Sequence, residues 1–154
     1  MATHVRNPRK EFNFTLQFAP DPIDPWLAQE VNLPDIEIDV TEHGDANHDI
    51  KTGGRAKYGA ITLNKLLTTT GSDNWFFDWA ASVADTFQGG GLPPMAYWKT
   101  LVITELAEDG ATAINTWICH EVWPSKINGQ KLDRMSSDNS IESVELQVNR
   151  VEKI

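Results

Sequence analysis

The chain has 154 residues, 40% hydrophobic and 23% charged, which fits one folded domain with its own core and excludes a disordered chain. Its 13 Lys and Arg stand against 22 Asp and Glu, a formal net charge of −9, which argues against a surface that grips a phosphate backbone. A single cysteine, Cys119, excludes an internal disulfide framework; no apolar run of about 20 residues reads as a membrane span and the first residues lack a signal peptide's apolar stretch, so the expectation is a soluble chain made in the cytoplasm.

Residues Glu11 to Phe18 alternate strictly, predicting a strand with Phe12, Phe14, Leu16 and Phe18 toward the core. Ala19 to Pro34 carries four prolines and reads as an irregular connection. Asp35 to Glu42 alternates again, so Ile36, Ile38 and Val40 are assigned to the core and Glu37, Asp39 and Thr41 to the opposite face. His43 to Tyr58 shows no periodicity, three glycines and charges of both signs, and reads as one long loop ordered by a partner. Ala60 to Leu66 returns to strand alternation. Ser72 or Asp73 then caps a predicted helix running to about Phe87, with Trp75, Phe76, Trp79, Val83 and Phe87 as its core stripe and Asp78 near its positive end. The run from Gly89 to Pro94 stops it. Trp98 to Leu106 and Thr112 to Trp123 flank Asp109-Gly110, a hairpin signal, and Ser140 to Val151 is the last strand. About six strands, one helix, no βαβ rhythm and no internal repeat predict a mostly β fold: an antiparallel β-sandwich or small barrel with one α-helix packed on it.

No constellation of residues reads as a reactive centre. Asp45, Asn47 and Asp49 begin like a calcium loop, but Ile50 stands where the turn needs Gly and Ala56 where a bidentate Glu is needed. His43, Asp45, His48 and Asp49 have ligand chemistry without a helix to fix their spacing, and read as a solvated loop. Gly54 to Gly59 lacks the Lys-Ser/Thr of a phosphate loop. Cys119 and His120 are consecutive on a strand and point to opposite faces. Glu37 and Asp39 share a face without a pocket to raise either pKa. Hence no catalytic residue, metal or cofactor is assigned and the expectation is not an enzyme. Trp75, Trp79, Trp98, Trp117 and Trp123 fall on elements and are assigned to packing, whereas Trp26, among the prolines, is assigned to a neighbouring subunit.

The order of the pieces resembles the T4-type bacteriophage tail tube proteins. The resemblance is carried by residues 36–45 (IEIDVTEHGD), 52–63 (TGGRAKYGAITL), the Trp75 and Trp79 helix, 117–129 (WICHEVWPSKING) and 140–146 (SIESVEL), spanning most of residues 11 to 151. Tubes of contractile injection systems and of type VI secretion share that fold. The resemblance implies a single tail tube domain over residues 1–154 whose sheets join those of neighbours into a continuous barrel, six subunits to a ring. Stacked rings would make a hollow conduit for DNA, in the tail of a virion assembled in the host bacterial cytoplasm. The resemblance implies a tape-measure protein, a baseplate tube initiator, a tail terminator and a sheath as partners. The alternatives are the inner tube of an injection system carrying protein effectors and a monomeric β-barrel binding module. On this resemblance residues 43–58 form an inter-ring loop, with Glu42, His43, Gly44, Asp45, Asp49, Lys51, Gly53, Gly54, Arg55, Lys57 and Tyr58 in contact with the next ring. Glu37 and Asp39 would then face the lumen.

Overall fold

The computed structural model describes residues 13–19, 28–66, 74–129 and 131–154. Its elements are β1 (Phe14–Ala19), β2 (Ala28–Asn32), β3 (Ile36–Asp45), β4 (His48–Tyr58), β5 (Ile61–Leu66), α1 (Trp75–Val83), α2 (Pro94–Tyr97), β6 (Lys99–Leu106), β7 (Ala113–Ile127), β8 (Ile141–Gln147) and β9 (Arg150–Lys153). Seven strands form one antiparallel sheet in the order β1-β6-β7-β8-β5-β2 with β9 added on β7, while β3 and β4 pair only with each other.

Strand β7 is the spine. Its first half pairs with β6 and β9, and its second half with β8. Between the halves Glu121 adopts φ 59°, the one positive φ outside glycine among the described residues. Left-handed backbone is costly for a residue with a Cβ and persists where its surroundings hold it. Here the β6 partner shifts, with Leu101 opposite Cys119 but Lys99 opposite Val122, as at a β-bulge. Asn149 Nδ2 donates to Glu121 Oε2 at 2.9 Å, Arg150 Nη2 lies 3.8 Å from Oε1, and the Asn149 amide donates to the His120 carbonyl at 3.3 Å. The bulge turns the strand so that one alternating sequence serves two parts of a curled sheet.

Alternation then places Leu16 and Phe18, Ile61 and Leu63, Leu101 and Ile103, Val144 and Leu146 in the buried core, and Cys119 and Val122, one on each side of the bulge, join them. Helix α1 closes that core. Phe18 packs against Trp75, Phe76 and Trp79 with ring centroids 4.8, 5.8 and 5.6 Å apart, and the Trp79 indole donates to the Tyr97 carbonyl at 2.6 Å. A buried indole N–H needs such a partner, and α2 supplies it.

Several boundaries depart from the sequence expectations. The segment from Ala19 to Pro34 is not wholly irregular, since Ala28–Asn32 forms β2 against β5. The last strand is two, β8 and β9, broken at the corner that Asn149 builds. The helix is shorter than expected and ends at Val83. Ala84 turns extended, the Asp85 carboxylate accepts the amides of Phe87 and Gln88, and a Cβ at Gly91 would overlap the Val83 carbonyl. The chain therefore leaves the helix before Phe87, which is 98% exposed and not part of the core stripe. Val83 is half-buried. Phe12 and Asp73 lie outside the described residues, as does Trp26.

Candidate functional site

The segment read as a long loop is a β-hairpin. Strand β3 continues through Asp45, the turn takes Ala46 and Asn47, and β4 runs back from His48. The Asp45 carboxylate accepts the Ala46 amide at 2.9 Å and closes the turn. The missing alternation has a local cause. Asp39 sits where the register shifts between Ile38 opposite Ala56 and Val40 opposite Gly53. One extra residue on β4 inverts its side-chain parity, so no single period runs through it. A Cβ at Gly54 would stand 3.0 Å from the Asp39 carbonyl oxygen and 3.3 Å from its Cβ, so this bulge needs glycine.

The register sorts the hairpin into two faces. One carries Ile36, Ile38, Val40, Glu42 and Gly44, directly opposite Tyr58, Ala56, Gly53, Lys51 and Asp49. The other carries Glu37, Thr41, His43 and Asp45, opposite Lys57, Thr52, Ile50 and His48, with Asp39 at the bulge. Lys57 Nζ lies 3.4 Å from Asp39 Oδ2, and Lys51 Nζ lies 3.8 Å from Glu42 Oε1. The acids Glu37 and Asp39 thus share their face with a cation and do not form an unrelieved negative strip.

The apolar face corrects the assignment of Ile36, Ile38 and Val40 to the core: they are 64%, 57% and 64% exposed. The hairpin is anchored at its base, where the Gly59 amide donates to the Asp35 carbonyl at 2.8 Å and Tyr58 packs against the core. From there it leaves the main sheet, taking the apolar row with it. An isolated two-stranded hairpin is marginally stable in water, and this one exposes a row of three β-branched residues.

A second feature is a groove of about 610 Å³ between α1 and α2. Trp75 and Trp79 form part of its lining, Lys99 Nζ stands 5.5 and 5.7 Å from their ring centroids, and Leu92 and Asp78 also line it. Phe76 is buried beside Trp79 and does not line the groove. The Leu92 amide donates to the Ser82 carbonyl at 2.9 Å, fixing the groove wall. Sequence reasoning missed this groove because it depends on α2, a single turn that begins at the second of two prolines expected only to stop a helix. The Pro at its first helical position was the signal available.

Elsewhere the chemistry is that of packing and turns. Cys119 is fully buried, and burial pushes its thiol up to about 11, so it carries no thiolate near neutral pH. His120 points away from it, with Nε2 3.3 Å from Glu152 Oε1 but not aligned for a hydrogen bond. Among the described residues no three His, Cys, Asp or Glu side chains gather where they could hold a metal, and no helix is long and apolar enough to cross a membrane.

An antiparallel sheet capped by an aromatic helix carries a long hairpin that stands off it. Residues 10–152 match the family described as T4-like virus tail tube protein gp19. The chain belongs to this tail tube family. The family is one of structural tube proteins, whose namesake is a component of a viral tail. No curated protein matches the sequence closely enough to count as a relative. Among solved structures, the cap that terminates the tube of the anti-feeding prophage superimposes with a TM-score of 0.82 at 17% identity, covering 100% of this chain and 95% of that one. A chain of the PVC extracellular contractile injection system sheath–tube complex, in its extended state, gives 0.77 at 22% identity, covering 97% and 93%. The terminator of the same system's sheath and tube gives 0.79 at 21% identity, covering 98% and 99%. These likenesses establish a shared fold along nearly the whole chain.

Proposed function

We propose that copies of this tail tube protein join into hexameric rings, that the rings stack into a hollow conduit, and that β3–β4 reaches onto an adjacent subunit. The observation that carries the proposal is the exposed row Ile36, Ile38 and Val40 on a hairpin that its own sheet leaves uncovered. Covering that row on a neighbour removes three large aliphatic side chains from water. Among the described residues the outer strands β1 and β2 end the sheet path with one edge each unpaired, which suits closure through neighbours. The inter-ring contact assigned to Glu42 through Tyr58 then becomes a contact made by a paired hairpin. Trp26 is kept as an inter-subunit contact on the sequence argument alone.

With the apolar face turned to a neighbour, the polar face is the one left for a channel wall, and this replaces core burial as the reason to place Glu37 and Asp39 at the lumen. The cargo proposed first is DNA, passed without specific binding in a virion tail assembled in the host cytoplasm. The second reading, a conduit for protein effectors, is favoured by the mixed charge of that face, where Lys57 lies beside Asp39. In either case the chain is read as structural and not catalytic. A tube initiator on a baseplate, a tape-measure protein, a terminator and a sheath are the partners. The solved structures support two of these, since they come from a tube cap, a sheath–tube complex and a sheath and tube terminator.

Deleting Ala46 to Lys51 tests the assembly. The shortened protein is expected to keep its far-UV and near-UV circular dichroism but to sediment as small species where the wild type forms tubes in negative stain. Normal tubes from the deletion would remove the hairpin from the contact. Replacing both Glu37 and Asp39 by Lys tests the lumen. Virions built on that variant should retain DNA or eject it slowly at low salt, and ejection at the wild-type rate at every salt concentration would place these acids elsewhere.

A further inference from the structure

We propose that the groove between α1 and α2 receives the Leu132–Met135 turn of a second copy of this chain. The inference rests on the tube reading above, and names a contact that reading leaves unassigned.

The groove offers an aromatic floor of Trp75, Trp79 and Tyr97, one aliphatic wall at Leu92 and an exposed carboxylate at Asp78. Every residue that lines it lies between 75 and 99, so the turn around Met135 does not occupy it within one chain. That turn carries the complementary set. Leu132 is 83% and Met135 93% exposed, and Lys131 and Arg134 each precede one of them in sequence. The Asp133 carboxylate accepts the Met135 amide at 3.0 Å, and the Asp133 carbonyl accepts the Ser136 amide at 3.3 Å. The two apolar side chains are thus presented on an ordered turn, which lowers the entropy lost when they are covered. Met is flexible and its sulfur makes favourable contacts with aromatic edges, which matches an indole floor. Arg134 or Lys131 meeting Asp78 at the rim orients the docking. Lys99, which also lines the groove, is drawn over the two indoles and keeps its charge there, so the attraction is confined to the Asp78 side.

Turn and groove are different surfaces, so the contact is head-to-tail. Such a contact closes into rings or extends into a filament and does not stop at a two-fold dimer. This is the geometry a tube requires, and it distinguishes a second copy from an unrelated partner as the occupant.

Cross-linking between two single variants tests the contact. Ala96→Cys places a thiol in the groove lining, Met135→Cys places one on the turn, and buried Cys119 does not compete. Mixed at concentrations where the wild type assembles and treated with a mild oxidant, the two variants should give one disulfide-linked heterodimer, absent on dilution to monomer and weak for either variant alone. Met135→Asp should raise the concentration needed for assembly by at least about tenfold with an unchanged unfolding midpoint. Arg134→Glu should raise it by roughly threefold, and Asp78→Arg in the same chain should restore it. Tubes that form without the heterodimer, or Met135→Asp tubes that form at the wild-type concentration, overturn the groove contact and leave the tube reading standing. Protection of the groove thiol only when a different protein is added assigns the groove to that protein and likewise overturns the proposal. A wild-type chain that stays monomeric at every concentration overturns both.

Discussion

Leu16 and Phe18 on β1 are fully buried, whereas Ile36, Ile38 and Val40 on β3, with the same alternation, are more than half exposed. The two strands differ in what lies over them. Strand β1 is covered by α1, whose Trp75, Phe76 and Trp79 rings all pack on Phe18. Strand β3 pairs with β4 alone among the described strands, and none of the described elements buries the row. An alternating pattern therefore reports that a face is destined for burial and is silent on which molecule supplies the cover. In the sheet the cover is intramolecular and adds to folding stability. On the hairpin, under the tube proposal, it would come from a neighbour, and its stabilisation would then appear only with concentration.

Substitutions that separate these two kinds of burial sharpen the contrast. Trp79→Ala should have the largest effect on the isolated chain, about 3–5 kcal/mol in chemical denaturation, because it opens the Phe18 cluster and removes the donor held by the Tyr97 carbonyl. An unchanged midpoint would show that α1 does not cover the core. Gly54→Ala should cost about 1–2 kcal/mol, localised in the hairpin, since its Cβ meets the Asp39 backbone. Amide hydrogen exchange is the measurement, with β3 and β4 exchanging faster while β6 and β7 hold their protection. Replacing Ile36, Ile38 and Val40 together by Ser should move the monomer's midpoint by no more than about 0.5 kcal/mol, yet abolish tubes in negative stain. A large loss of monomer stability would mean that the row is buried by its own chain and would break the comparison.

The smallest effect concerns a turn within the sheet. Asp109 accepts the Thr112 amide at 2.9 Å, the Thr112 hydroxyl at 2.7 Å and the Ala111 amide at 2.9 Å. The Thr112 amide, then its hydroxyl and the Ala111 amide, hold this carboxyl at about 2, below its ordinary 3.8. Because the folded pKa is the lower one, the stabilisation is full above about 4 and fades as pH falls from about 4 to about 2. Asp109→Asn should therefore narrow its difference from the wild type across that window, as followed by thermal unfolding at a series of pH values. A difference that stays constant down to about pH 2 would show that the carboxylate is not what holds the turn.

Much was decided locally and could be read from the chain. The strands around Leu16, Leu63, Leu101 and Val144 follow from alternation of apolar and polar residues, and the β6–β7 hairpin follows from Asp109-Gly110, because a period of two and a turn residue act over a few positions. Trp75, Phe76 and Trp79 follow from helical spacing. The order of these segments also suffices to resemble the tail tube family. Other features depended on residues distant in sequence. The bulge at Gly54 hid β4, because the extra residue is defined by its partner at Asp39 on the other strand. The end of α1, and with it the exposure of Phe87, depends on Gly91 folding back against the Val83 carbonyl. The bend of β7 at Glu121 depends on Asn149 and Arg150, nearly thirty residues onward. Periodicity determined which side chains share a face; only the tertiary structure decided which faces its own chain covers, because covering one requires an element brought over it from elsewhere in the sequence.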